Sequence, residues 1–332
     1  MYKLCISLAL FPVFYHANAQ KEQPKVFVFT DIHIGSGDPD DRQSLVHLLW
    51  YADELEIMGI VPDRWNTQGL EACQMAIEAY RADFTELGLK QRGYPSPGKI
   101  TGLLAKNAAD AADRLKAATE NLNGHPLYVL VWGNMINFGK ALNKYPEIGN
   151  EIRLITIGTG LKYGPEDEVP GEDCNTPNWN GPGRNEVYND PRFSDMWWLE
   201  INWTYNGMFS GEGPKMMFEK LAEYGEMGKH LKFVTKDHLW AQYFRVGDTP
   251  SVLYLIDPGH DPEDPTQSSW AGKYKSHFRN FVLTITQTIM EKSNGITQTL
   301  VRLGITLRPC THTTNQPWKK KERECTRDCS KN

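Results

Sequence analysis

Positive charge is not in excess: 36 Lys+Arg stand against 41 Asp+Glu, a formal net charge of −5 at pH 7. That balance excludes a basic nucleic-acid binder, whose footprint is a face crowded with lysine and arginine. Cysteine is scarce, six in 332 residues, and no C-x-x-C pair occurs, so no zinc-ligand spacing is written in the chain. Beyond the N-terminal segment no apolar run approaches the roughly 20 residues that a membrane-spanning helix needs, and no membrane partner is expected. Repeats, low-complexity tracts and a phosphate-cradling glycine loop are also missing. What remains is 40% apolar and 23% charged, too apolar for a disordered chain. At this length a full core can be buried without disulfide staples. The 10 Trp and 14 Tyr suit a sugar- or base-binding cleft and suit an ordinary core equally.

The N-terminus reads as an export signal. Lys3 precedes an apolar run over residues 4–14, then Ala17-Asn18-Ala19-Gln20 has the small-x-small form of a signal-peptidase site. A signal peptide over residues 1–19 is expected, with a mature start at Gln20 and a periplasmic or secreted protein. Cys5 then leaves, and Cys73 and Cys174 either pair in that oxidising compartment or stay free.

The following chain alternates short β-branched runs with longer helical stretches, which predicts an α/β fold, doubly wound around a mainly parallel sheet. Strands are expected over residues 26–30, 56–61, 128–132 and 153–157. Helices are expected over 43–55, 69–82, 103–120 and near 138–144. Residues 159–195, rich in Gly and Pro, read as a long functional loop. In such sheets the ligand sits beyond the carboxyl ends of the strands, so the residues after each strand carry the argument.

After the first expected strand comes Thr30-Asp31-Ile32-His33-Ile34-Gly35-Ser36-Gly37-Asp38-Pro39-Asp40-Asp41. Four carboxylates crowd into one loop that opens a helix. Hard cations such as Ca²⁺ or Mg²⁺ take carboxylate, carbonyl and water oxygens of this kind. The alternative is a solvated acidic turn, favoured by the dipole of the helix that follows.

This segment, continued by Ser44-Leu45-Val46, is similar to the nucleoside-hydrolase-like domain of a bacterial cellulose-binding-protein family, related to the inosine-uridine nucleoside hydrolases. Three later segments share the resemblance in order: Trp132-Gly133-Asn134-Met135-Ile136-Asn137, Leu199-Glu200-Ile201-Asn202 and Gly259-His260-Asp261-Pro262. The resemblance implies a sheet of nucleoside hydrolase type and a bound cation, Ca²⁺ by preference. Asp31 or Asp38, Asp41, Asp261 and a backbone carbonyl near Ile136 would hold it. One of Asp31 and Asp38 would be the general base and His260 the acid at the leaving group. Asp40 and Asn202 would hold ribose hydroxyls, Glu200 the outer hydroxyl, and Asn66 and Asn137 would lie on the ligand side. Trp65, Trp179, Trp197, Trp198 and Trp203 are candidates for stacking on a base or sugar.

The implied function is an exported metal-dependent hydrolase of N-glycosidic bonds, acting on a small nucleoside or glycoside. The rival is a secreted carbohydrate-binding protein on the same scaffold, taking a glycan without turnover; a vestigial site is the third reading. The domain is expected over residues 20–280. Residues 281–332 form an atypical tail, for residues 283–306 can be re-read one reading frame away as the polar, aromatic sequence that the family usually has there. Either the frame shifts between about Lys273 and Leu283, or the tail is genuine and divergent with a solvated basic end at Lys319-Lys320-Lys321, and resequencing the DNA decides between them.

Overall fold

The computed structural model describes residues 22–35, 39–65, 68–157, 183–201, 219–235, 246–271, 274–278 and 282–285. The first strand, β1 (Lys25–Thr30), is buried along its whole length. A strand covered on both faces must be apolar on both, and Lys-Val-Phe-Val-Phe-Thr nearly is. Its alternate residues serve different layers: Val26 and Val28 enter one hydrophobic cluster, Phe27 and Phe29 the other.

The helix α1 (Asp40–Trp50) leads to β2 (Glu56–Pro62), which pairs parallel with β1. Next come α2 (Gly69–Glu86), α3 (Pro97–Gly102) and α4 (Ala108–Thr119). Strand β3 (Leu127–Trp132) lies on the other side of β1, followed by α5 (Ile136–Lys144), α6 (Ile148–Glu151) and β4 (Ile152–Ile157). After α7 (Arg184–Asn189) and β5 (Trp197–Ile201) come α8 (Glu226–Thr235) and α9 (Thr249–Ile256). Two short strands, β6 (Tyr274–Phe278) and β7 (Val282–Ile285), complete the described sheet.

The strand order is β2-β1-β3-β4-β5-β7-β6, with every neighbouring pair parallel except β6 and β7. Helices α1, α2 and α9 cover one face and α4 and α5 the other, so the expected doubly wound, mainly parallel architecture is present. The winding reverses between β1 and β3: β2 is laid to one side of β1 and β3 to the other. That reversal splits the loops at the carboxyl ends of these two strands and opens the crevice in which such folds bind ligands.

Helix boundaries depart from the expectation where capping decides them. Helix α1 starts at Asp40 because Asp40 and Asp41 suit the positive end of the helix, and it stops at Trp50. The expected helix over 103–120 begins only at Ala108, where the Asn107 side chain accepts from the Asp110 N–H at 3.0 Å. Helix α8 is capped from outside its own segment: the Asp83 carboxylate, on α2, accepts from the N–H groups of Glu226 at 2.6 Å and Met227 at 2.8 Å. Cys73 is a buried free thiol on α2, its acidity suppressed by burial, and Cys174 lies outside the described residues. No helix among the described residues is long and apolar enough to cross a membrane.

Candidate metal and sugar site at the switch point

The ends of β1 and β3 are tied together where the winding reverses. The Asp31 N–H donates to the Trp132 carbonyl at 3.1 Å. Gly133 follows with φ +100, and a Cβ there would fall 2.6 Å from Cγ of Asp31. The bare glycine therefore leaves the space that the Asp31 carboxylate occupies. Arg64, just after β2, reaches over to donate to Asp31 Oδ2 at 2.9 Å.

Two residues of the acidic loop stand on the first turn of α1. The Thr30 hydroxyl, at the last position of β1, donates to Asp41 Oδ1 and accepts from the Ile32 N–H. Asp41 in turn donates its own N–H to Asp40 Oδ1 at 3.0 Å. The third member comes from far along the chain. Asp248 immediately precedes α9, and oxygens of Asp40, Asp41 and Asp248 all lie within 4.8 Å of one another.

The placement of Asp248 is enforced by its neighbours. Its N–H donates to Ser44 Oγ of α1, and its carbonyl accepts from Ser251 Oγ at 2.6 Å. Ser251 also accepts from the Trp132 indole N–H at 2.8 Å, and Thr249 meets His47 Nδ1 at 3.0 Å. Small hydroxyl residues at the start of α9 thus lock it to α1 and β3.

Electrostatics favour a guest cation. Burial, then the charges of Asp248, Asp31 and Asp40, push the Asp41 carboxyl well above the usual carboxylate range, and the Thr30 hydrogen bond only partly offsets them. Three carboxylates forced together are costly until a cation divides their charge. The spacing also fits: Ca²⁺ binds oxygens at about 2.3–2.6 Å, so ligand oxygens up to about twice that apart can share one ion.

Asp63, at the end of β2, is a buried carboxylate that sequence reasoning missed. Its Oδ1 accepts from Asn137 Nδ2 at 3.0 Å, while Oδ2 has no hydrogen-bond partner. Burial pushes its carboxyl well above the ordinary range despite the Asn137 bond. Beside it the buried polar atoms His33 Nδ1 and Trp65 Nε1 also lack partners. Unmet hydrogen-bonding capacity thus gathers at the ends of β1 and β2.

The other expected site residues divide. Ile136 opens α5 just past β3, its N–H donating to Asn134 Oδ1 at 3.2 Å. Glu200 is fully buried on β5 and already engaged: Arg184 Nη1 stands 3.5 Å from Oε1, and Thr156 Oγ1 and Trp198 Nε1 donate to Oε2 at 2.5 and 3.0 Å. Burial raises its carboxyl, against the lowering pull of Arg184. Arg184, absent from the expected set, further donates to the carbonyls of Gly133 and Ile157 at the ends of β3 and β4. Trp198 is therefore a core residue, and Trp197 packs under the Arg153 guanidinium. Asp38, Asn66, Trp179, Asn202 and Trp203 lie outside the described residues.

His260 and Asp261 are not brought to this cluster. Helix α9 carries the chain from Asp248 to the opposite edge of the sheet. There Glu263 accepts from the Tyr128 hydroxyl at 2.7 Å and from Arg153 Nη2 at 2.9 Å, both near the amino ends of their strands. His260 stacks edge-on against Tyr254 with ring centroids 4.4 Å apart, and Asp261 Oδ1 accepts from the Glu263 N–H in an exposed turn. The carboxylate that joins Asp40 and Asp41 is instead Asp248, whose sequence signal is Gly247-Asp248-Thr249-Pro250, an aspartate and a proline at a helix start.

Residues 25–158 match the model of the family described as cellulose-binding Sde182, nucleoside hydrolase-like domain. Over this segment the chain is similar to a nucleoside hydrolase-like domain. Solved structures agree on the fold. A nucleoside hydrolase-related hypothetical protein from Saccharophagus degradans, associated with carbohydrate metabolism, superposes with a TM-score of 0.63 at 17% identity, covering 85% of this chain and 72% of its own. The inosine-uridine preferring nucleoside hydrolase from Bacillus anthracis gives 0.53 at 15% identity, covering 84% and 100%. An inosine-guanosine nucleoside hydrolase gives 0.50 at 14%, covering 86% and 100%. No curated protein matches the chain in sequence. The acidic cluster thus sits at the switch point of the sheet, where β1 and β3 part.

Proposed function

We propose that the chain is an exported, metal-dependent hydrolase of N-glycosyl bonds, with its site on Asp40, Asp41, Asp248 and Asp31. One observation carries the reading: three carboxylates from two distant segments converge at the switch point of a nucleoside hydrolase fold, where a cation and a sugar can share one crevice. Asp40, Asp41 and Asp248 hold the cation, with Ca²⁺ preferred over Mg²⁺ by the number of carboxylates and by the family resemblance. When bound, such an ion lowers the pKa of a water and orients vicinal hydroxyls.

The residues of the chain supply the rest. Asp31 lies beside the cluster, oriented by Arg64, and is the proton acceptor for the attacking water. Asp63, whose Oδ2 is unpartnered, and Asn137, bonded to its Oδ1, line the sugar side. An oxocarbenium-like transition state gains from this field of carboxylates, which costs no reorganisation as the positive charge develops.

A second reading is favoured by the place of His260 at the far edge of the sheet, which leaves no imidazole from the expected pair at the leaving group. On that reading the same cation site binds a glycan without cleaving it, in keeping with the cellulose-binding name of the matched family. A panel of nucleosides and aryl N- and O-glycosides, assayed with Ca²⁺ and with EDTA, separates the two. Turnover that EDTA abolishes and Asp41→Asn removes supports the hydrolase. Calcium-dependent glycan binding without turnover on any substrate supports the binder.

A further inference from the structure

A base or an alcohol leaves a sugar more easily when it takes up a proton, and with His260 at the other edge of the sheet the expected donor is missing. Asp63, just past β2, is tied into the site by hydrogen bonds. Its N–H donates to the Thr30 carbonyl at 2.8 Å, the Thr30 hydroxyl donates to Asp41, and the next residue, Arg64, donates to Asp31 at 2.9 Å. Asp63 is 8% exposed, and among the described residues no basic group pairs with it. A carboxyl buried without a counter-charge keeps its proton, because the lone ion costs more than the neutral acid. Asn137 of α5 fixes where that proton sits. Its Nδ2 donates to Asp63 Oδ1 at 3.0 Å, so Oδ1 is the acceptor oxygen and Oδ2 carries the hydrogen. Oδ2 is the atom that no protein group engages. Burial raises this carboxyl and the charge of Asp31 adds to the rise; the Asn137 bond, Arg64 beside it and Lys140 of α5 lower it without cancelling that rise.

We infer that Asp63 is the general acid of the site, delivering the proton on Oδ2 to the leaving nitrogen or oxygen of the glycosyl bond. The inference rests on the hydrolase reading above. The leaving atom is bonded to the sugar itself, so a group that lines the sugar side is placed to serve it. As the bond to the anomeric carbon breaks, its electron pair stays on the leaving atom, which takes the Asp63 proton. The water oxygen bonds to the anomeric carbon and gives a proton to Asp31. Asp63 ends ionised and Asp31 protonated, and exchange with solvent restores both. Two carboxyls at neighbouring strand ends thus take opposite roles, since Asp31 is paired with a guanidinium and Asp63 is buried without one.

Kinetics of the full chain in Ca²⁺ test it with two substrates of one sugar, one bearing an unactivated base and one bearing 4-nitrophenol, which leaves as an anion without a proton. Asp63→Asn keeps the size of the side chain and an acceptor for Asn137. It is expected to lower kcat/KM about a hundredfold or more further on the first substrate than on the second. Equal losses, or no loss, overturn the acid and leave the hydrolase reading standing. No turnover by the wild type on either substrate overturns both. Infrared difference spectra at pH 7, wild type minus Asp63→Asn, are expected to show the carbonyl stretch of a protonated carboxyl, and its absence overturns the acid. If Asp63→Asn does not fold, a series of substituted phenyl glycosides on the wild type decides. A rate nearly independent of the acidity of the departing phenol supports the donor, and a steep fall with weaker phenols overturns it.

Discussion

Asp41 faces two opposed demands, one from burial and one from any cation held beside it, and they can be separated by pH. Its carboxyl is raised in the folded state, so the folded protein holds that proton more tightly than the unfolded chain does. The stabilising contribution of the protonated group is present at low pH and is lost as pH rises from the unfolded value, about 3.9, through the folded one. In EDTA, Asp41→Asn is expected to melt higher than the wild type at pH 7, and the difference is expected to shrink toward pH 4. Added Ca²⁺ should raise the wild type and leave the variant unmoved; a wild type that melts higher in EDTA at pH 7 would contradict the crowding of charges. Gly133 tests the neighbouring carboxylate. A methyl group there meets Asp31 at 2.6 Å on a backbone with φ +100, so Gly133→Ala should cost about 1–3 kcal/mol in urea unfolding and also weaken the Ca²⁺ response. Asp40 and Asp41 were legible in the sequence because charge repulsion in one loop is visible without a structure. Asp248 was not, because a single aspartate before Thr-Pro is indistinguishable from a helix start until the fold returns it to α1.

Among the elements, the central strands were legible because each is a short, almost wholly apolar run that only burial on two faces explains. Helix ends were less so, since they depend on caps, and a cap can come from another element. Helix α8 shows this most clearly. Its first-turn N–H groups donate to Asp83, a residue of α2 that no local pattern links to residues 226 and 227. Two charge-assisted hydrogen bonds at a helix start are lost together in Asp83→Ala, with an expected cost of about 1–2 kcal/mol. Because α8 packs on α2 and α1, hydrogen exchange should show the loss first in α8, while the amides of β1 and β3 stay protected. Protection lost uniformly across the sheet would mean that Asp83 supports the whole core and not one helix.

For the whole molecule, the decisive question is which end of the sheet a residue reaches. His260 and Asp261 read as a pair from the far loops in sequence, yet the length of α9 carries them from the carboxyl edge to the amino edge, where Tyr128 and Arg153 hold their loop through Glu263. Sequence order alone does not distinguish the two edges; the path of the intervening helix does. The same topology would make a cation held there a cross-link between α1 and α9, because Asp40 and Asp41 stand on one and Asp248 at the start of the other. An ion that binds only when these segments meet has its site destroyed on unfolding, so its binding energy is stability. At a free Ca²⁺ concentration of a hundred times the dissociation constant the gain is about 2.7 kcal/mol. Urea unfolding followed by tryptophan fluorescence should therefore show a midpoint that climbs with the logarithm of Ca²⁺ while the slope of the transition stays constant, since the surface exposed is unchanged. Asp248→Asn should remove the climb as fully as Asp41→Asn, and Asp261→Asn should leave it intact. An Asp261 variant that loses the Ca²⁺ response while Asp248→Asn keeps it would return the cation to the other edge of the sheet.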